Sequence, residues 1–265
     1  MNDTVRLDRD GAVATLTLNR PDALNALDDA MVDALGASVA SIASDASLRV
    51  VILRGAGRHF MAGGDLRVFA AALAHEPARR QASFQRLVER VHACVELLAR
   101  MPQPVIARLH GAVAGFGLSL ANACDLAFAS EDAYFASAYL QIAVTPDGGG
   151  TYWLPRIVGA RRAAEIMLLG DRFDAHHAAA IGLVNRVVAI EALDETVERA
   201  ARRIAAGPTL AVRNLKRLLR GSSQRSFSEQ LQAEAVSFGQ CTASDDFAEG
   251  VGAFLAKRPA DFHRT

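Results

Sequence analysis

Three stretches of the chain concentrate residue types that can do chemistry. In Phe60-Met-Ala-Gly-Gly-Asp-Leu66 and in His110-Gly-Ala-Val-Ala-Gly-Phe-Gly-Leu-Ser-Leu120, glycines stand between a short apolar run and the start of an apolar, helix-like segment. Main-chain N–H groups at such a junction are unpaired, point outward and sit at the positive end of a helix dipole. Two such loops on neighbouring strands can aim two amides at one oxygen, and each donor is worth about 3–4 kcal/mol where water is excluded. Read singly, either loop is better explained as a tight turn that lets a helix approach closely. A dinucleotide fingerprint does not fit, because Leu120 stands where its third glycine belongs. The third stretch, Val144-Thr-Pro-Asp-Gly-Gly-Gly150, holds one carboxylate, Asp147, between a proline and three glycines. Pro-Asp-Gly is an ordinary turn signal; next to an oxyanion site, the same carboxylate would be placed to move a proton.

The elements that must carry these loops are legible in the pattern. Residues 13–18 alternate with period two and run into Asn19-Arg-Pro21, a strand entering a turn. Residues 27–42 carry apolar side chains at helical spacing behind Asp28 and Asp29, which suit a helix start. Residues 49–53, 104–109 and 126–129 are short apolar runs of buried-strand length, and 84–101 predicts an amphipathic helix stopped by Pro102. Strands alternating with helices predict an α/β fold with a largely parallel sheet. From Leu193 onward the pattern is helical, broken at Gly207-Pro208 and Gly221, and predicts an appended helical region packed on the core or on a neighbouring subunit.

Composition narrows the function classes. Of 265 residues, 51% are apolar and 22% charged, enough for one large domain or one and a half and incompatible with disorder. Lys and Arg number 29 against 29 Asp and Glu, a balance that argues against nucleic acid as partner. Residues 1–10 carry three Asp and no apolar block, unlike a signal or transit peptide, and the longest uncharged apolar stretch, 111–124, is too short to span a bilayer. Cys94, Cys124 and Cys241 read as buried thiols of a reducing cytoplasm. Neither they nor the pair His176-His177 has metal-site spacing, so no metal is expected. Ser119 lacks a nucleophile elbow and an evident His partner and reads as pocket lining; Trp153 reads as core.

Taken in order, Asn19-Arg-Pro-Asp-Ala-Leu-Asn-Ala26, the loop 60–66, Gly111-Ala-Val-Ala-Gly-Phe-Gly117, Thr145-Pro-Asp-Gly-Gly-Gly-Thr151 and Phe254-Leu-Ala-Lys-Arg258 resemble the enoyl-CoA hydratase/isomerase (crotonase) superfamily over nearly the whole chain. The resemblance implies a crotonase spiral of ββα units over residues 1–200 and a C-terminal helical trimerisation region over 201–265, giving a homotrimer or a dimer of trimers. It implies an acyl-CoA substrate, with coenzyme A as part of that substrate and no separate cofactor. By motif position the oxyanion-hole amides belong to Gly64 and Phe116; the phenylalanine, where glycine is common, keeps the N–H and narrows the pocket. Ala23, Leu24, Ala26, Ala62, Asp65 and Leu66 match positions around the adenine and pantetheine, with Ala62 offering main-chain groups. Asp65 is also placed to cap the helix starting at Leu66. Phe254 and Lys257 match positions that reach CoA, often from the adjacent subunit, or lie on a solvated helix face. Asp22 stands where relatives often carry Lys or Arg, which puts that phosphate contact in question.

The same resemblance bears on the reaction. Family hydratases hold the attacking water between two glutamates; the matching positions are Ser119 and Tyr139, and neither a hydroxyl nor a phenol is a ready base at neutral pH. Tyr139 either donates a hydrogen bond to substrate or fills space. An acid after the proline, as at Asp147, resembles the enoyl-CoA isomerases, and Thr151-Tyr-Trp-Leu-Pro-Arg156 looks closest to the ring-epoxide isomerase branch of phenylacetate breakdown. One carboxylate can shuttle a proton from C2 to C4 of a thioester while two amides hold the dienolate oxygen. A pocket of Phe116, Leu118, Leu140 and Ile142 would raise its pKa. The rivals are a hydratase-type lyase with altered acid/base residues and a catalytically silent acyl-CoA binding or assembly subunit.

Overall fold

A computed structural model describes residues 3–262. The chain runs β1 (Val5–Asp10), β2 (Val13–Leu18), α1 (Asp29–Ser44), β3 (Val50–Gly55), α2 (Leu66–Ala72) and α3 (Pro77–Arg100). It continues through β4 (Val105–Leu109), β5 (Ala112–Ala114), α4 (Phe116–Ala123), β6 (Leu126–Ser130), β7 (Tyr134–Ala136), α5 (Gly150–Val158) and α6 (Ala160–Leu169). It closes with β8 (Phe173–Asp174), α7 (Ala175–Ala180), β9 (Arg186–Val188), α8 (Ile190–Ala205), α9 (Thr209–Gly221), α10 (Phe227–Thr242) and α11 (Asp245–Leu255). The strand–strand–helix order recurs along the chain, as the resemblance implies.

The large sheet has the order β1-β2-β3-β4-β6-β9 and is parallel apart from the β1–β2 hairpin. Strand side chains alternate between faces, and both faces are covered. Val51 and Leu53 of β3 join Leu16, Leu18 and Ala107 in the core against Met31, Leu35 and Val39 of α1 and Val91, Val95 and Leu98 of α3. Val50 and Ile52 point the other way, onto Leu193, Val197 and Ala201 of α8. That two-sided burial explains why residues 49–53 read as a continuous apolar run rather than an alternating one.

Three features depart from the sequence reading. The stretch after β4 is not a plain glycine loop: β5 intervenes and founds a second, three-stranded sheet β5-β7-β8. α3 starts at Pro77, a turn and more before the predicted start at 84, because Pro77 occupies the first helical turn where its missing N–H costs nothing. Residue 200 falls inside α8, whose apolar face is part of the core; the chain breaks only at Gly207-Pro208, before α9.

Candidate active site

The two glycine loops are laid side by side by the strands that precede them. After β3 the chain passes through residues 56–60, whose carbonyls are gathered by one side chain: Asn25 Nδ2 donates to the carbonyls of Ala56, His59 and Phe60 at 2.9, 2.8 and 3.1 Å. Single bridges then tie Leu27 to Gly64 and Met61 to Val113, so the first loop is stitched to the turn before α1 and to β5. A methyl group on Gly63 would lie 3.5 Å from the Phe116 nitrogen, which puts the loops in van der Waals contact. Leu27 N–H donates to the Gly63 carbonyl and Asp65 N–H to the Leu27 carbonyl, but no main-chain acceptor among the described residues takes the Gly64 or Phe116 N–H. Phe116 is the first residue of α4, where the helix itself supplies no acceptor.

Asp147 lies in the loop that meets the start of α4. The loop that carries it packs on the first turns of α4: a methyl on Gly148 would come within 2.7 Å of the Phe116 ring, and one on Gly150 within 2.7 Å of Ser119 Oγ. Tyr139 O–H donates to Asp147 Oδ1 at 2.5 Å. With its proton so directed, Tyr139 accepts from Ser119 O–H at 3.1 Å, which orders a hydroxyl chain ending on the carboxylate. On the other side of the loop, the Gly148 N–H donates to His92 Nε2 at 3.1 Å. Burial pushes the Asp147 carboxyl above the ordinary aspartate range, against the opposing pull of the Tyr139 hydrogen bond and of His92. Burial likewise pushes the Tyr139 phenol up, helped by the adjacent carboxylate, so it stays a protonated donor.

Several expectations need revision. Tyr139 does not merely fill space; it is buried and hydrogen-bonded to the carboxylate. Leu140 and Ile142, placed in the apolar pocket from sequence, are 50% and 41% exposed. They lie on a single 3₁₀ turn with left-handed residues at both ends, which turns only Tyr139 inward. Among the aromatic neighbours, buried Tyr139 contacts Asp147 directly, and the Phe116 ring packs on the adjoining Gly148. Asp65, counted as a substrate contact, is committed internally: it caps α2 through Arg67 N–H and pairs with the Arg20 and Arg67 guanidinium groups, each at 2.9 Å. Those two groups hold its carboxyl well below the usual range. Trp153 is half-buried, with Arg220 stacked 4.4 Å above its ring.

Leu24 and Leu66 are open to solvent at the mouth of the first loop, Ala26 is buried, and Ala62 is half-buried with its N–H donated to the Leu24 carbonyl, leaving its own carbonyl for a ligand. Phe254 is 83% exposed and lines an apolar groove with Phe247, Val251 and Leu255 that contains none of the Asp147 site residues. Lys257, just beyond, is exposed with a left-handed backbone. The structure does not bring these two to the site within one chain. Three contributors went unread in the sequence: His92, Asn25 and Arg20. Asn25 and Arg20 lie inside the quoted motif 19–26, but only the fold shows what they grip.

The cysteines are unpaired, and Cys124 is pushed up to about 12 by burial. Among the described residues no helix is long and apolar enough to cross a membrane, and no three His, Cys, Asp or Glu side chains gather as metal ligands.

The chain was compared with known proteins. The family model for enoyl-CoA hydratase/isomerase matches residues 8–265. A 1,2-epoxyphenylacetyl-CoA isomerase of Escherichia coli is 36% identical over 251 residues, 94% of each chain. A crotonyl-CoA hydratase of Syntrophomonas wolfei is 35% identical over 261 residues, 98% of each. A crystal structure of an enoyl-CoA hydratase from Mycobacterium smegmatis superposes with a TM-score of 0.91 at 36% identity, covering 98% of this chain and 99% of that one. With the stitched glycine loops and their unpaired amides already in view, the match over almost every residue establishes that this chain belongs to the enoyl-CoA hydratase/isomerase family.

Proposed function

We propose that the protein is an acyl-CoA isomerase that shifts a double bond, or opens a ring epoxide, next to a CoA thioester. The observation that carries this is the arrangement around Asp147. At the two positions where family hydratases place water-holding glutamates, this chain has Ser119 and Tyr139; the Tyr139 hydroxyl donates to the Asp147 carboxylate, and the Ser119 hydroxyl bonds Tyr139, so one carboxylate is the only acid at the end of the chain of hydroxyls. A lone base suits proton transfer along one substrate, because the proton taken is the proton returned. In this reading Asp147 Oδ2 removes a proton from C2 of a 3-enoyl-CoA. The electron pair moves into the thioester, and the Gly64 and Phe116 N–H groups hold the developing oxyanion. The same carboxyl then delivers its proton to C4, leaving the double bond between C2 and C3. The Tyr139 hydrogen bond keeps Oδ1 occupied, which leaves Oδ2 as the oxygen to act as base. No cofactor is required; coenzyme A enters with the substrate, and the Ala62 carbonyl is available to its adenine.

The name of the Escherichia coli relative supports a ring-epoxide thioester as one substrate class; the names of the hydratase relatives support the competing reading, water addition by rearranged groups. The deciding measurement is conversion of 3-enoyl-CoA to 2-enoyl-CoA beside hydration of crotonyl-CoA. We expect isomerisation to dominate, and Asp147→Asn to lose at least about a hundredfold in kcat. Hydration at a comparable rate would transfer the protein to the hydratases, and tight binding of acyl-CoA without turnover would make it a silent binding subunit.

The assembly proposed with this activity is a trimer or dimer of trimers. Its support is the apolar surface of the C-terminal helices, where Phe227, Phe238 and Phe254 are 79%, 72% and 83% exposed in the single chain. Light scattering showing a monomer would remove it. The three unpaired thiols support a reducing, cytoplasmic setting.

A further inference from the structure

A second cleft, about 620 Å³ in volume, opens at the ends of β2, β3 and β4 beside the start of α8. Its walls carry Arg6, Arg54, Arg58, Arg108 and Arg172, facing only two carboxylates, Asp132 and Asp194. None of Gly64, Phe116, Ser119, Tyr139 or Asp147 lines it. The arginines come from separate elements, β1, β3, the loop after β3, β4 and the turn before β8.

Most of this charge is held by neutral partners. Arg108 alone is paired, Nε to Asp194 at 2.6 Å, and its Nη1 donates to His110 Nδ1 at 2.7 Å. The other ring nitrogen of His110 therefore carries the proton and donates to the Gly57 carbonyl at 3.0 Å, so this histidine is neutral and offsets nothing. Arg54 Nε donates to Thr17 Oγ1 at 3.1 Å. Arg172 sits over the Tyr134 ring, its Cζ 3.3 Å from the centroid, a cation–π contact that uses none of its N–H donors. Arg6 and Arg58 have no carboxylate within ion-pair distance among the described residues. Like charges gathered in one cleft gain from an anion between them, and planar guanidinium forks arriving from several directions match the oxygens of a tetrahedral dianion. The chain has no net charge, which argues against a long polyanion as the ligand.

We propose that this arginine-lined cleft is a binding site for a small phosphate-bearing molecule, separate from the acyl-CoA site. The shared chemistry is a phosphoryl dianion, supplied free or on a nucleotide. The test is calorimetric titration of the intact protein at fixed ionic strength with inorganic pyrophosphate, with ADP, and with citrate as a carboxylate of similar charge. One pyrophosphate or ADP per chain is expected, with affinity falling at least about tenfold in Arg172→Gln and again in Arg6→Gln. Both residues are on the surface, so folding of each variant is checked by its unchanged unfolding midpoint. Tighter ADP than pyrophosphate identifies the nucleotide source and supports the site; the reverse identifies the free anion and also supports it. Citrate binding as tightly as pyrophosphate, affinity unmoved by both substitutions, or competitive displacement of pyrophosphate by coenzyme A would each overturn the proposal.

Discussion

At the scale of single residues, the chemistry turns on how one carboxylate is supported. Burial raises the Asp147 pKa, so the folded protein binds that proton more tightly than the unfolded chain does. A group raised in this way contributes stability at low pH and loses it as pH rises through its folded pKa. Asp147→Asn is therefore expected to raise the urea midpoint at neutral pH, with the gain fading toward acid, while kcat collapses. The same shift sets the acid limb of the kcat profile above 3.8, the ordinary aspartate value. Tyr139→Phe deletes a hydrogen bond that favours the charged form, so its acid limb should move further up. His92 acts on the same loop through the Gly148 N–H. His92→Ala should lower kcat more than it raises KM, and His92→Gln, which keeps an acceptor, should restore most of the loss; equal rates in both variants would remove the role. Asp147 was legible because a motif encloses it. His92 was not, since a histidine on an amphipathic helix, 55 residues upstream in the chain, carries no local sign of the loop it will meet.

At the scale of elements, the glycine loops are placed by backbone pairing and by two polar side chains at the turn before α1. Asn25 satisfies three carbonyls that would otherwise be buried without donors. Asn25→Ala should cost about 2–4 kcal/mol in denaturant unfolding, since losing a buried donor leaves several acceptors unsatisfied. Asp65 joins Arg20 and Arg67 across the same junction, and its lowered pKa means that its contribution is present above the normal aspartate range and lost as pH falls. Asp65→Asn should destabilise at pH 7, and the difference should vanish in acid. The large strands were readable because they are long and apolar. β5 was not: three residues between glycines look like loop, and only pairing with β7 makes them a strand.

At the scale of the whole molecule, the C-terminal helices are anchored through charge inside the protein. Lys216 of α9 is buried; its Nζ donates to the Gln103 carbonyl and pairs with Asp125, both at 2.8 Å. Arg220 of the same helix shares Asp125 at 2.8 Å and covers Trp153. Burial pulls the Lys216 pKa down, offset in part by Asp125. Removing the ammonium leaves Asp125 with Arg220 as its ion partner and takes a donor from the Gln103 carbonyl, and Lys216→Ala is expected to cost about 1–3 kcal/mol in a single unfolding transition. Two separate transitions would show that 201–265 folds on its own. The helical character of this region could be read from its periodicity, whereas its attachment depends on partners about a hundred residues away and could not.

The Gly64 and Phe116 N–H groups, left without main-chain acceptors among the described residues, belong to the backbone and survive every side-chain substitution except proline. They also make the loops self-reporting. In solvent deuterium these two amides should exchange quickly in the free protein, unlike their bonded neighbours Leu27 and Asp65. They should slow sharply when a thioester is bound, giving a direct optical-label-free reading of occupancy even in the Asp147→Asn variant, where no product forms.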